Sequence, residues 1–131
     1  MSAVRYNEEQ EAYELDYELW DRPVTVRFYV ESEQDIMDNI GDIADKFDRL
    51  NRNRSKLAEI IIRDRWTKRS LLTLDPGDLA KDMYIADCSV EIDEDGIVLC
   101  LTAASEKYLD KGLSMEIGDD HGLEVLGTVD N

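Results

Sequence analysis

Chemistry in this chain has to come from few side chains. There is one histidine, His121, and there are two cysteines, Cys88 and Cys100. His121 sits in the run Gly118-Asp119-Asp120-His121-Gly122, where polar residues and glycine serve a turn for backbone reasons. The cysteines fall on neighbouring strands of one hairpin and read as small buried thiols in a reducing compartment. No CxxC, HExxH, GxSxG or phosphate-cradling glycine loop is present. No catalytic residue, metal ligand or cofactor is assigned on these grounds.

Carboxylates are the abundant reactive group. Glu91, Asp93 and Asp95 have the alternate spacing that opens a calcium loop, but Leu99 and Thr102 stand where a further ligand and the bidentate Glu belong. Two solvated Asp-Gly turns are the plain reading. The alternative is an enzyme or metal-binding protein with a carboxylate site where the turns holding Asp93, Asp95, Asp119, Asp120 and His121 meet.

Net charge is −16, unevenly placed. Residues 1–45 hold 13 acids and 3 bases, residues 46–69 hold 3 acids and 9 bases, and residues 70–131 hold 15 acids and 3 bases. Such a field opposes direct nucleic-acid binding and favours a basic partner. The basic block of Arg49, Arg52, Arg54, Lys56, Arg63, Arg65, Lys68 and Arg69 is expected to lie over acidic sheet edges as surface ion pairs. Trp20 and Tyr29, with Arg27 beside them, are placed on the outer face of the sheet, where aromatics with Arg suit an interface. The candidate partner-binding residues are therefore Trp20, Arg27, Tyr29, Asp93, Glu94 and Asp95.

The elements that position them follow from periodicity. Tyr13, Leu15, Tyr17 and Leu19 alternate with polar residues, as do Val24, Val26, Phe28 and Val30. With the Asp21-Arg22-Pro23 turn signal between them they predict an antiparallel hairpin. Residues 32–66 carry an apolar stripe at Ile36, Ile40, Ile43, Phe47, Leu50, Leu57 and Ile61, the spacing of one long amphipathic helix. At 1.5 Å per residue it would span about 50 Å, more than a domain of this size, so a bend is expected near Asn51, Asn53 and Ser55. Arg54 occupies the one charged slot in the stripe; it must either rotate outward at the bend or sit at the rim with its head paired.

Asp75-Pro76-Gly77 stops the helical region and 78–83 makes a short helical turn with Leu79 and Met83 facing inward. A strand over 84–92 places Ala86, Cys88, Val90 and Ile92 on one face. It turns through Asp93-Glu94-Asp95-Gly96 into an apolar strand over 97–103. Residues 113–117 form a further strand, and 123–129 a last edge strand. The N-terminal residues 1–11 are expected to fray. The fold class is α+β: one domain over 1–131, an antiparallel sheet of N-terminal hairpin plus C-terminal meander, with a long bent helix on one face. No apolar run is long enough to span a membrane and no signal-peptide core is present, so the expected location is cytoplasmic.

The layout from Leu79 to Gly127 resembles a group of uncharacterised bacterial domains of unknown function. The similar features are the short helix, the strand ending in acidic residues and glycine, the apolar return strand, and Leu109-Asp110-Lys111-Gly112-Leu113-Ser114-Met115-Glu116-Ile117 with its Gly-ended turn. Relatives often carry aromatic-Gly-His where this chain has Lys111-Gly112. Such families include small acidic proteins similar to toxin-immunity proteins. The resemblance implies an immunity-type antidote to a basic toxin. Three functions are thus expected in order: a non-enzymatic acidic protein-binding domain, the carboxylate enzyme or metal-binding protein above, and a structural homo-oligomer paired through 123–129. The chain would be a monomer or a homodimer.

Overall fold

The computed structural model describes residues 4–63, 72–94, 96–118 and 122–129. Seven strands form one sheet in strict chain order: β1 (Arg5–Asn7), β2 (Ala12–Leu19), β3 (Arg22–Tyr29), β4 (Met83–Asp93), β5 (Gly96–Ser105), β6 (Gly112–Ile117) and β7 (Leu123–Val129). Four described helices accompany them: α1 (Glu33–Asp38), α2 (Ile40–Arg52), α3 (Arg54–Arg63) and α4 (Pro76–Asp82). The α+β class expected from the sequence is found. No described helix is long and apolar enough to cross a membrane.

The sheet departs from expectation in three ways. First, it is mixed: β3 and β4 pair parallel, with Tyr29 level with Glu91, while every other neighbouring pair is antiparallel. The helical block carries the chain back along the sheet before β4 begins, so β4 starts at the same end as β3. Second, residues expected to fray include β1. Arg5 is held by Glu14 (3.5 Å) and Asp16 (3.0 Å), and the Tyr6 and Tyr13 rings meet edge to face at 5.0 Å. Third, a bulge between Ile85 and Asp87 leaves Ala86 exposed. Met83 and Ile85 face inward before it, and Cys88 and Val90 after it.

The long helix is not single. It is interrupted at Asn39 (φ −116°, ψ 10°) and at Asn53 (φ −107°, ψ 23°). At both places the side-chain amide donates to the carbonyl four residues back: Asn39 Nδ2 to Asp35 O (2.8 Å) and Asn53 Nδ2 to Arg49 O (2.7 Å). At Asn39 the amide meets this carbonyl while the main-chain N–H turns to Ile36 O (3.1 Å); at Asn53 the main-chain N–H (3.1 Å) and the amide share the Arg49 carbonyl, a side-chain contact of the kind that bends helices. The expected bend falls at Asn53; the break at Asn39 was not foreseen.

The apolar stripe packs as read except at Ile40, which is only half-buried. Ile36, Ile43, Phe47, Leu50, Leu57 and Ile61 are buried against Leu15, Leu19, Val26, Phe28, Val90, Leu99, Leu101, Leu113 and Met115 of the sheet. Of the basic block, Arg65, Lys68 and Arg69 lie outside the described residues. Arg49 and Arg63 pair within their own helices, with Asp45 (3.1 Å) and Glu59 (3.6 Å), rather than reaching over the sheet edges.

At the end of α4, Asp82 ties down the β5–β6 connection. Its carboxylate accepts from Ser105 Oγ (2.5 Å) and the Lys107 N–H (2.9 Å), while Ser105 Oγ accepts from the Tyr108 N–H (3.1 Å). The Ser105 hydroxyl first, and then the Lys107 amide, hold this carboxyl below the usual carboxylate range. A depressed folded-state pKa contributes stability above the unfolded-state pKa and loses it as pH falls through the folded one. Asp82→Asn is therefore expected to cost about 1 kcal/mol at neutral pH, after discounting for solvent screening. The difference from wild type should shrink steadily below about pH 4. Urea unfolding at a series of pH values checks it; a difference that stays constant down to acid pH would remove the assignment.

Candidate functional site

Several segments end together at one end of the sheet. Because β3 and β4 are parallel, the carboxyl ends of both lie there. The β1–β2 turn and the start of α1 join them. Between these pieces runs an open groove of about 650 Å³, lined by Glu11, Tyr29, Val30, Glu31, Asp35, Ile92, Asp93 and Glu94. Five of the eight lining residues are carboxylates and none is basic.

Each part has a local cause. Asn7 Oδ1 accepts from the N–H groups of Glu9 (3.0 Å) and Gln10 (3.2 Å), closing the turn that delivers Glu11 at φ 50°. Tyr29 follows buried Phe28 in alternation and so points outward, 43 % exposed. Asp35 accepts from the Ser32 N–H (3.3 Å) in the first turn of α1, where the helix dipole favours a negative charge. Asp93 pairs with Gly96 across the β4–β5 turn, and Gly96 supplies the φ of 125° that the turn requires.

This arrangement is an electronegative concavity with an aromatic wall. It offers carboxylates, beside the exposed Tyr29, to an ammonium or guanidinium. Among the described residues, no group of three His, Cys, Asp or Glu side chains is arranged to hold a metal ion. Cys88 is buried, and burial first, then the Asp87 charge, pushes its thiol far up. Cys100 is shifted up as well, by partial burial and then by Glu116 and Glu91. Neither thiol is activated as a nucleophile.

The candidate residues from the sequence divide between places. Tyr29, Asp93 and Glu94 come together in the groove. Arg27 does not join them. Its guanidinium lies on the outer face between Glu14 (3.7 Å) and Asp87 (3.3 Å). Trp20 requires a correction: it is at the opposite end of the sheet and 3 % exposed, not on the outer face. Its indole N–H donates to Leu50 O (2.9 Å), and its main-chain N–H to Asn51 Oδ1 (2.8 Å). Trp20 shapes a second open groove there, of about 780 Å³, with Asp21, Asn51 and Arg54. Asp95, Asp119, Asp120 and His121 lie outside the described residues.

Glu11, Glu31 and Asp35 were missed. The signal available for Asp35 was the Ser32-x-x-Asp35 spacing at a helix start. Nothing in the sequence brings Glu11 to Asp93, because that proximity depends on the parallel pairing of β3 and β4. No protein-family model matches the chain, no curated protein matches it in sequence, and no solved structure matches its fold.

Proposed function

We propose that this chain is a non-enzymatic acidic domain that binds a basic protein partner, with the groove around Tyr29 taking a Lys- or Arg-bearing segment. The observation that carries this reading is the lining: five carboxylates, an exposed tyrosine and no base. The net charge of −16 supports it, since an acidic surface speeds encounter with a basic partner and makes association salt-sensitive. A basic toxin is the partner that the layout resemblance implies, and its antidote would act by occupying the toxin's cationic surface.

Capture by the tagged chain at low salt tests the proposal, with the product of the adjacent gene as the first partner tried. Replacing Glu31, Asp93 and Glu94 together with lysine should weaken capture of a basic partner at least about tenfold, mostly through slower association. Raising salt should do the same to wild type. A partner held equally by wild type and this triple variant, or indifferent to salt, would rule the groove out.

A further inference from the structure

Beside β7 lies a second surface of opposite character. β7 is the last strand in the sheet order, so its outer edge pairs with nothing among the described residues. Leu123 and Val125 pack on the core yet remain only half-buried, and Leu126 is 46 % exposed. Beside them a mainly apolar groove of about 200 Å³ runs between the α2–α3 junction and the β6–β7 hairpin. Leu57, Ile60, Ile117 and Leu123 line it, and Arg49 and Lys56 stand at its rim. Ile60, on the helix side, is 38 % exposed.

We propose that this edge and groove take an extended acidic segment of another protein as an added strand beside β7. Main-chain groups of the edge would supply register and affinity. Apolar side chains of the segment, on the helix side, would enter the groove over Ile60 and Leu123. Carboxylates on that same face of the segment would meet Lys56 and Arg49, the latter already shared with Asp45 at 3.1 Å. Charge decides the occupant. Arg49 and Lys56 belong to the part of the chain, 46–69, where bases outnumber acids nine to three. A second copy of the chain fits poorly: the described β7 carries one carboxylate, Glu124, whose partner across the ladder is Glu116 on the outer face, away from the groove. The inference is independent of the proposed function, because it requires the opposite sign of ligand charge at a different edge.

The test uses a short synthetic peptide that carries valine and glutamate in turn at every second residue, with threonine between them, so that both share the groove-facing side of the strand, and its lysine-for-glutamate counterpart. The glutamate peptide should bind, should slow amide exchange in Leu123–Val129, and should be lost with rising salt. The double variant Arg49→Glu with Lys56→Glu should bind it about tenfold more weakly. Ile60→Glu provides a second route to the same loss should the double variant fail to fold. The proposal is overturned by any of four results: no binding at millimolar peptide, equal binding of the two peptides, undiminished binding by both variants, or a chain dimer whose β7 amides are already protected without peptide.

Discussion

Trp20→Ala is expected to destabilise the chain by about 3–5 kcal/mol, the range for truncating a buried large aromatic. Trp20 and Asp21 form the two-residue turn between β2 and β3, with Leu19 paired to Arg22 across it. Both turn residues have positive φ, 52° and 66°, the pattern of a type I′ hairpin, which is normally filled by Asn and Gly. A bulky aromatic in the left-handed region is strained by about 1 kcal/mol or more and persists only where its surroundings over-determine it. Here they do. The indole is buried and donates to Leu50 O, the main-chain N–H donates to Asn51 Oδ1, and Asn51 Nδ2 returns a bond to Glu18 O at 3.1 Å. Alanine would keep the strain and lose the packing and the indole donor. Urea unfolding followed by circular dichroism reads the effect without relying on the removed fluorophore. A loss under about 1.5 kcal/mol would mean that the indole contributes little to the core. Asp21→Gly is the control: relief of the left-handed φ should offset the lost Arg54–Asp21 contact of 3.5 Å, leaving stability nearly unchanged.

That turn also shows where sequence reasoning stopped. Alternation placed β2 and β3 correctly, because a half-buried strand writes its burial into every second residue. The turn signal was read at Asp21-Arg22-Pro23, whereas the chain turns at Trp20 and Asp21, and Pro23 lies within β3 opposite Glu18. A tryptophan in a positive-φ position has no local signature; tertiary packing selects it. The bulge at Ala86 was hidden for a related reason: Tyr84 to Ile92 reads as one unbroken alternation with Ala86, Cys88, Val90 and Ile92 on one face, and only the ladder with β5 shows the extra residue.

The acidic groove was half legible. Outward Tyr29 followed from the alternation of β3, and Asp93 and Glu94 from a strong hairpin signal. Their meeting did not follow. Were β3 and β4 antiparallel neighbours, Tyr29 and Asp93 would stand at opposite ends. One parallel pair, created by the traverse of the helical block, brings them to one end together with Glu11, Glu31 and Asp35. The charge map then gains a geometry that composition lacks: carboxylates gather at that end, and Arg49 and Lys56 rim a groove beside β7.

Arg54→Leu is expected to cost about 2 kcal/mol, and the number separates two pictures of the helical layer. The sequence allowed Arg54 either to rotate outward at a bend or to stay at the rim with its head paired to a carboxylate. Both halves are present, with a different partner. The chain breaks at Asn53, immediately before Arg54, and the side chain is 23 % exposed. Its guanidinium donates chiefly to main-chain carbonyls, Met83 O at 2.7 Å and Lys81 O at 3.4 Å, with Asp21 and the Trp20 ring more distant at 3.5 Å and 5.8 Å. Arg54 thus serves the negative end of α4, where carbonyls lack helical partners. Charged donors of this kind contribute about 1.5–3 kcal/mol. Against that stands desolvation: Nε is buried with no hydrogen-bond partner, and burial pulls the guanidinium pKa down. Leucine would recover that part and keep most of the stem packing, which brings the net loss to about 2 kcal/mol. Lysine, with one compact ammonium, should satisfy a single carbonyl and lose about half as much. Urea unfolding of both variants decides. A loss below about 0.5 kcal/mol for Arg54→Leu would mean that water meets those carbonyls, and a loss above about 4 kcal/mol would mean a fully buried charge in an unbroken seam. Combining Arg54→Leu with Trp20→Ala should fall short of the sum of the two losses, because each side chain packs on the other and both hold the hairpin turn to the α2–α3 break.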